Sequence, residues 1–184
     1  MQPSCAVHTR RQHVPVIAEA TRQASVIEAA KAIVDGMPTR PEIKHGLAKA
    51  FYSPSGDYVG MPSQKQFERD EAYYSVLFHE LTHATGHESR LNRKGVAGNE
   101  DNWSSFGSTP YAKEELVAEM GAAFLCGEAG IMERTIDNSA AYVQSWLKRL
   151  KDDVRLVVQA AAQAQKAADF IIGKQPAGES EVVQ

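Results

Sequence analysis

Residues 73–85 form the run YYSVLFHELTHAT, which is apolar and aromatic and contains the spacing H-E-x-x-H at His79, Glu80 and His83. Helical residues four apart are neighbours, roughly 5–6 Å apart at their Cβ atoms, so a helix through this run places both imidazoles beside one metal ion. Glu80 lies one residue further round the helix, where its carboxylate can accept a proton from an attacking water. The run therefore predicts a helix with two metal-binding histidines and a general base.

The surroundings of the motif decide between this interpretation and an ordinary pair of histidines. Histidines four apart on a helix are often plain core or surface residues. Here Val76, Leu77 and Phe78 precede the motif and predict a buried helix. Burying two imidazoles and a carboxylate is costly unless a partner such as a metal ion compensates, so this context favours the metal site.

His87 extends the four-residue interval, but helix geometry argues against a site of three histidines. Eight helical residues rise about 12 Å, too far for one tetrahedral ion unless the helix breaks, for example at Gly86. The longer metzincin pattern H-E-x-x-H-x-x-G-x-x-H requires a histidine where this chain has Ser89. We interpret His87 as a cation at the end of the helix and as a candidate substrate contact.

A third metal ligand is expected, because catalytic zinc sites usually hold three side chains and leave one position open. Residues 111–126, YAKEELVAEMGAAFLC, predict a second helix, with Pro110 suited to its start and apolar residues at helical spacing. Glu115 and Glu119 share one face of this helix, so one can bind the metal while the other orients a histidine. An acidic helix start is the alternative interpretation, and it explains Glu114 better than Glu119.

Further blocks of sequence extend this pattern from about residue 29 to residue 131: Ala50–Pro54, Asp57–Pro62, Phe67, Glu71–Tyr74, Phe78–Arg93 and Tyr111–Cys126. Together they resemble the zincin-like metallopeptidase domain of ArdC-type antirestriction proteins and of polyvalent proteins of plasmids and phages. The resemblance implies His79 and His83 as ligands of Zn²⁺, Glu80 as the base, and a glutamate of the second helix as the third ligand. By analogy we assign Glu115 to the metal, and Glu119 to orienting a histidine or, alternatively, to the metal.

The fold implied by the resemblance is α+β and zincin-like, mostly helical, with a small antiparallel sheet and an H-E-x-x-H helix. The implied function is zinc-dependent hydrolysis of a peptide or protein substrate, in association with a mobile genetic element. The alternative is a zinc-containing antirestriction module that binds DNA or protein, in which hydrolysis is not the biological output. ArdC-type proteins also carry an N-terminal domain that resembles single-stranded DNA-binding modules. The first residues here are too few to supply it, so we expect either a fragment of a larger protein with a DNA-binding domain or a stand-alone peptidase domain.

A short β-hairpin or meander is predicted where Leu47–Tyr52 and Tyr58–Met61 flank a turn-rich segment. Zincins commonly bind an extended peptide against an edge strand, so main-chain groups of Tyr58, Val59, Gly60 and Met61 are candidate substrate contacts. A purely structural hairpin is the alternative. Tyr111, at the start of the second metal helix, is a candidate hydrogen-bond donor to the transition state.

The rest of the chain divides into an arm, helices and a tail. We expect a flexible arm over residues 1–15, the metallopeptidase domain over 16–173 and a disordered tail over 174–184. An amphipathic helix is predicted over Ala24–Val34 and long scaffold helices from Ala140 through Ile172, the latter packing behind the site or forming an oligomer seam. Residues 92–110 are predicted to form a long loop anchored by Trp103 and Phe106.

Composition limits the kinds of partner that the chain is expected to bind. Its 184 residues are 43% hydrophobic and carry a formal net charge of -3, which gives no electrostatic case for nucleic acid. The adjacent Arg10 and Arg11 form too short a basic run to change this expectation. Cys5 and Cys126 lack metal-site or redox spacing and are predicted to be free thiols. No apolar stretch approaches the roughly 20 residues that span a bilayer, so a cytoplasmic protein without membrane contact is expected.

Overall fold

Five α-helices and a three-stranded sheet form the part of the chain that the computed structural model describes, residues 27–93, 109–149 and 154–174. The elements are α1 (Glu28–Gly36), β1 (Glu42–His45), β2 (Phe51–Ser53), β3 (Tyr58–Met61), α2 (Asp70–Ala84), α3 (Thr109–Glu128), α4 (Ile136–Arg149) and α5 (Val154–Ile171). The mostly helical composition with a small sheet confirms the predicted architecture. Predictions for the arm, the tail, Cys5, Trp103 and Phe106 lie outside the described residues.

The sheet is mixed, with the strand order β1-β3-β2. β2 and β3 are antiparallel, with Tyr52 opposite Val59, so the predicted hairpin is confirmed. β1 runs parallel to β3, with Ile43 also opposite Val59, so the prediction of an antiparallel sheet is wrong for this strand. Only Ile43 of β1 is partly buried while the other residues are exposed. The strand therefore lacks the alternation of apolar and polar residues by which a strand is recognised.

β3 is the central strand, and the prediction that it offers an open edge is wrong. Its residues pair with β1 on one side and with β2 on the other. Val59 and Met61 are fully buried. Main-chain groups of Tyr58, Val59, Gly60 and Met61 thus lie inside the sheet, and β1 and β2 are its two edges.

The motif-bearing helix α2 runs through the core, as predicted from its apolar flank. Leu77, Phe78 and Leu81 have almost no exposed surface and join one cluster with β2, β3 and the buried residues of α1. α2 packs directly on α3. At the crossing, a Cβ on Gly121 would come within 2.6 Å of the Thr82 side chain, so the small residue lets the two helices approach closely.

The C-terminal helices support α3 from behind, which confirms the predicted scaffold role. α4 and α5 both contact α3. Alanines of α5 and apolar residues of α3 form a second buried cluster: Ala112, Leu116, Val117, Ala160 and Ala164. Cys126 is a buried free thiol in the main core, as its position on an apolar helix predicted. None of the described helices is both long and apolar enough to cross a membrane.

Candidate metal centre

The two histidines of α2 face the same point. The Nε2 atoms of His79 and His83 lie 3.1 Å apart, and both side chains are buried. Two nitrogen ligands at about 2.0–2.1 Å from a tetrahedral zinc ion are themselves separated by about 3.3 Å. The spacing of the two nitrogens therefore suits a shared metal ion.

Glu115 of α3 brings its carboxylate to the same point. Its Oε2 lies 3.8 Å from His79 Nε2 and its Oε1 lies 3.7 Å from His83 Nε2. One donor atom from each of the three residues falls within 4.8 Å of the other two. Glu119, one turn further along α3, lies instead at the other nitrogen of His79, with Oε1 3.4 Å from Nδ1. This placement agrees with the assignment of Glu115 to the metal and Glu119 to orienting His79.

Glu114 contacts the second histidine in the same manner, which sequence reasoning missed. Its Oε1 lies 3.2 Å from Nδ1 of His83. Arg93 binds the same carboxylate in a fork, with Nη2 2.6 Å from Oε1 and Nε 3.2 Å from Oε2, and donates to the Thr82 carbonyl at 2.8 Å. Each imidazole thus has a carboxylate at Nδ1 and directs Nε2 to the shared point, as metal-binding histidines usually do. The interpretation of Glu114 as a mere helix-start acid is wrong.

Several buried titratable groups set the electrostatics of the site. Burial would lower the pKa of His83, but the Glu114 hydrogen bond and the charge of Glu115 raise it to about 9. Burial raises the pKa of Glu119 to about 8, and the charge of Glu115 adds to this shift. Burial likewise raises the pKa of Glu80 to about 7. The pKa of His79 lies well below its usual value because of burial and the nearby His83, so this imidazole is neutral and able to bind metal. A divalent cation among these carboxylates would offset the energetic penalty of burying their charges.

A cavity of about 140 Å³ opens onto the two histidines, and it is lined by Ala50, Phe51, Tyr52, His79, Glu80, His83, Tyr111 and Glu115. Glu80 and Tyr111 therefore border the same cavity as the two histidines and Glu115. The strand in the wall is the edge strand β2, whereas sequence reasoning pointed to its hairpin partner β3. The block Ala50–Pro54 is one of those in which the sequence resembles the zincin-like family. That similarity was the signal in the sequence that could have pointed to β2 as the cavity wall.

His87 lies outside this constellation. α2 ends at Ala84, and the N–H of Gly86 bonds back to the carbonyl of His83 at 2.8 Å, so the chain leaves the helix axis before His87. The Nδ1 of His87 instead lies 2.8 Å from the Ser89 hydroxyl. His87 is absent from the three-donor cluster and from the cavity wall within the described residues. Its contact with substrate stays a prediction.

A buried helix carrying H-E-x-x-H beside a metal-facing glutamate from the next helix, with a small sheet at the cavity, defines the zincin class of proteins. Comparison with protein families agrees: the model of the zincin-like metallopeptidase family matches residues 28–163. The chain belongs to this family, which confirms the resemblance seen in its sequence.

The chain is similar to a solved structure and to two further proteins that each share part of their length with it. Over 84% of the chain, the structure is similar to the Mn(II)-bound structure of the antirestriction protein ArdC from plasmid R388, with a TM-score of 0.59 and 40% identity, and covers 54% of it. The uncharacterised protein y4eC of Sinorhizobium fredii is 36% identical over 88% of the chain and 48% of its own length. The DNA primase TraC of Escherichia coli is 44% identical over 71% of the chain but only 12% of its own length. The chain thus spans about half the length of y4eC and ArdC.

Proposed function

We propose that this chain is a metal-dependent peptidase domain that hydrolyses a peptide or protein substrate. His79, His83 and Glu115 hold the metal ion, and Glu80 acts as the general base. The observation that carries the proposal is the convergence of three metal-binding side chains and Glu80 in one cavity. An open position beside three ligands is typical of catalytic sites, since structural zinc sites use four protein ligands.

The residues of the cavity divide the chemistry between them. When bound, a divalent cation supplies Lewis acidity that polarises a substrate carbonyl and lowers the pKa of a nearby water. Glu80 accepts the proton of the attacking water and passes it to the leaving amine, a role that its raised pKa of about 7 suits near neutral pH. Tyr111, in the cavity wall, donates a hydrogen bond to the oxygen that gains charge. Glu119 and Glu114 hold the two imidazoles in place.

The substrate lies against β2 in this proposal. β2 is an edge of the sheet, and residues 50–52 line the cavity. An extended peptide can add to such an edge and place one of its peptide bonds above the histidines. The same role is not proposed for β3, which is paired on both sides.

Zinc is the proposed metal, because two histidines and one glutamate form a known catalytic zinc set. The ArdC relative was crystallised with Mn(II), so manganese is the competing ion. Elemental analysis and chelator competition on wild type, His79→Ala and Glu115→Gln test the set with either metal. We expect one ion per wild-type chain and its loss in both variants. Glu119→Gln should keep the ion but bind it about 10- to 100-fold more weakly. If instead Glu119→Gln loses the ion completely and Glu115→Gln retains it, then Glu119 is the metal ligand and Glu115 the residue that orients a histidine.

Hydrolysis is tested by Glu80→Gln, compared with Glu88→Gln, which changes an exposed glutamate beyond the end of α2. With a mixture of quenched fluorescent peptides, Glu80→Gln should retain the metal while turnover falls about 10²- to 10⁴-fold. Glu88→Gln should behave as wild type. Equal turnover in both variants would reject Glu80 as the base.

A second candidate function has support in the names of the relatives, since ArdC is an antirestriction protein and TraC a DNA primase. In this version the chain is a metal-containing module of a mobile-element protein that acts in the cytoplasm by binding DNA or protein. An antirestriction assay on wild type and Glu80→Gln separates the two versions. If Glu80→Gln still protects DNA from restriction, hydrolysis is not the biological output. If this variant loses both protection and peptide turnover, the peptidase is favoured.

A further inference from the structure

Arg90 connects the end of the metal-binding helix to the hairpin that walls the cavity. Its side chain is only 1% exposed. On the helix side, its Nε donates to the carbonyl of Ala84, the last residue of α2, at 2.7 Å. Its Nη1 donates at 3.1 Å to the carbonyl of Thr39, which lies between α1 and β1. These two bonds hold the guanidinium in a defined position at the C-terminal end of α2.

On the hairpin side, the same guanidinium binds two side chains. It forks onto the carboxylate of Asp57, with Nη1 3.1 Å from Oδ2 and Nη2 on Oδ1, and Nη2 lies 3.3 Å from the Tyr52 hydroxyl. That hydroxyl donates to Asp57 at 2.8 Å. Asp57 lies in the turn between β2 and β3 with a φ of 44°, a left-handed conformation that a non-glycine residue adopts only where its surroundings hold it.

Tyr52 extends this network to the reacting groups. It lies in β2 and lines the cavity together with Glu80. Its backbone is hydrogen-bonded to the Glu80 carboxylate. The side chain of Tyr52 is therefore hydrogen-bonded to Arg90, while its main chain contacts the proposed base. A movement of β2 away from α2 would change both the cavity wall and the environment of Glu80.

We propose that Arg90 is a positioning residue that, through Asp57 and the Tyr52 hydroxyl, holds β2 against the end of α2 and so keeps Tyr52 beside Glu80. Its effect on hydrolysis rests on the proposed peptidase function. Arginine suits this task because its planar fork makes several fixed bonds at once, which the single ammonium of lysine cannot reproduce. Loss of the hydrogen bonds made by Arg90 should leave the proposed metal ligands intact. Among the described residues, Arg90 and Asp57 form no hydrogen bond with His79, His83 or Glu115.

The test compares Tyr52→Phe and Arg90→Lys with matched controls. Tyr73→Phe removes another buried hydroxyl, one that bonds His45 at 2.8 Å. Arg134→Lys changes an exposed arginine that pairs with a carboxylate at 3.4 Å. For each metal-loaded protein, metal content, amide hydrogen exchange in residues 51–53, kcat and KM are measured. Tyr52→Phe is the smaller change and keeps the main chain, so it remains informative if Arg90→Lys fails to fold.

We expect exchange in residues 51–53 to rise about fivefold in Tyr52→Phe, as for the loss of one hydrogen bond, and further in Arg90→Lys. kcat should fall about 10- to 100-fold with metal content unchanged, because small displacements of reacting groups have effects of this size. Exchange equal to that of the controls overturns the proposal, and so does raised exchange with unchanged kcat. A wild type that hydrolyses no peptide contradicts the peptidase function instead, and the exchange rates alone then decide whether Arg90 holds β2.

Discussion

Arg93→Met removes the guanidinium that neutralises Glu114 at the buried contact between α2 and α3. Both residues are 7% exposed, and two bonds of 2.6 and 3.2 Å join them. Without Arg93 the buried Glu114 carboxylate keeps the His83 imidazole, at 3.2 Å, as the remaining partner for its charge. Breaking a buried pair in this way typically costs about 3–5 kcal/mol. For a chain of this size, about 2–4 °C per kcal/mol implies a melting temperature lower by about 6–20 °C.

Two further variants separate charge compensation from general damage. Arg134→Met removes an arginine whose side chain is 65% exposed and whose ion pair with Glu71 measures 3.4 Å, so it should destabilise the fold by less than about 1 kcal/mol. Arg93→Met combined with Glu114→Gln removes the negative charge of Glu114 and keeps a hydrogen-bonding group near His83. This double variant should be more stable than Arg93→Met alone by at least about 1 kcal/mol.

The assay is urea unfolding followed by circular dichroism at pH 7, on protein freed of metal by a chelator, since bound metal would add its own stabilisation. The free energies of unfolding of the four proteins are then compared. If Arg93→Met is as stable as Arg134→Met, or if the double variant is no more stable than Arg93→Met, then compensation of Glu114 is not what Arg93 provides.

Two other predictions concern the helix crossing and the hairpin clamp. Gly121→Ala places a Cβ 2.6 Å from Thr82 and should lower stability by about 1–3 kcal/mol in thermal unfolding, whereas Gly127→Ala, which meets only the flexible end of a methionine, should be near neutral. Burial alone would raise the pKa of Asp57, but the Arg90 hydrogen bond holds that pKa below its ordinary 3.8. Asp57→Asn should therefore reduce the melting temperature at pH 7. This difference should shrink as the pH falls from about 3.8 through the lower pKa of the folded state, because the unfolded chain then binds a proton before the folded wild-type carboxylate does. A difference that is constant with pH would contradict the role given to this charge.

The parts of the site that depend on local spacing were accessible from the sequence. Residues four apart lie on one helix face, so the pairing of His79 with His83 and of Glu115 with Glu119 follows from helix periodicity alone. The apolar run before the motif predicted that α2 is buried, and the structure agrees. The prediction succeeded here because the interacting residues are neighbours along the chain.

The errors occurred where contacts join distant segments. The strand order depends on β1, an exposed strand that pairs in parallel with β3 across a long stretch of chain, and no local pattern shows that this pairing makes β3 central. Glu114 lies about 100° around α3 from Glu115. It reaches His83 where α3 packs against α2, and Gly121 lies against Thr82 in the same helix contact.

By itself, the sequence predicted the candidate metal-binding side chains and the candidate base, and the helices on which they lie. These properties follow from residue type and from the 3.6-residue turn of the helix. The tertiary structure alone decided which glutamate faces both Nε2 atoms, which arginine compensates the buried carboxylate, and which strand borders the cavity. The reason is that these choices depend on how α2, α3 and the sheet pack, and packing is a contact between segments far apart in the chain.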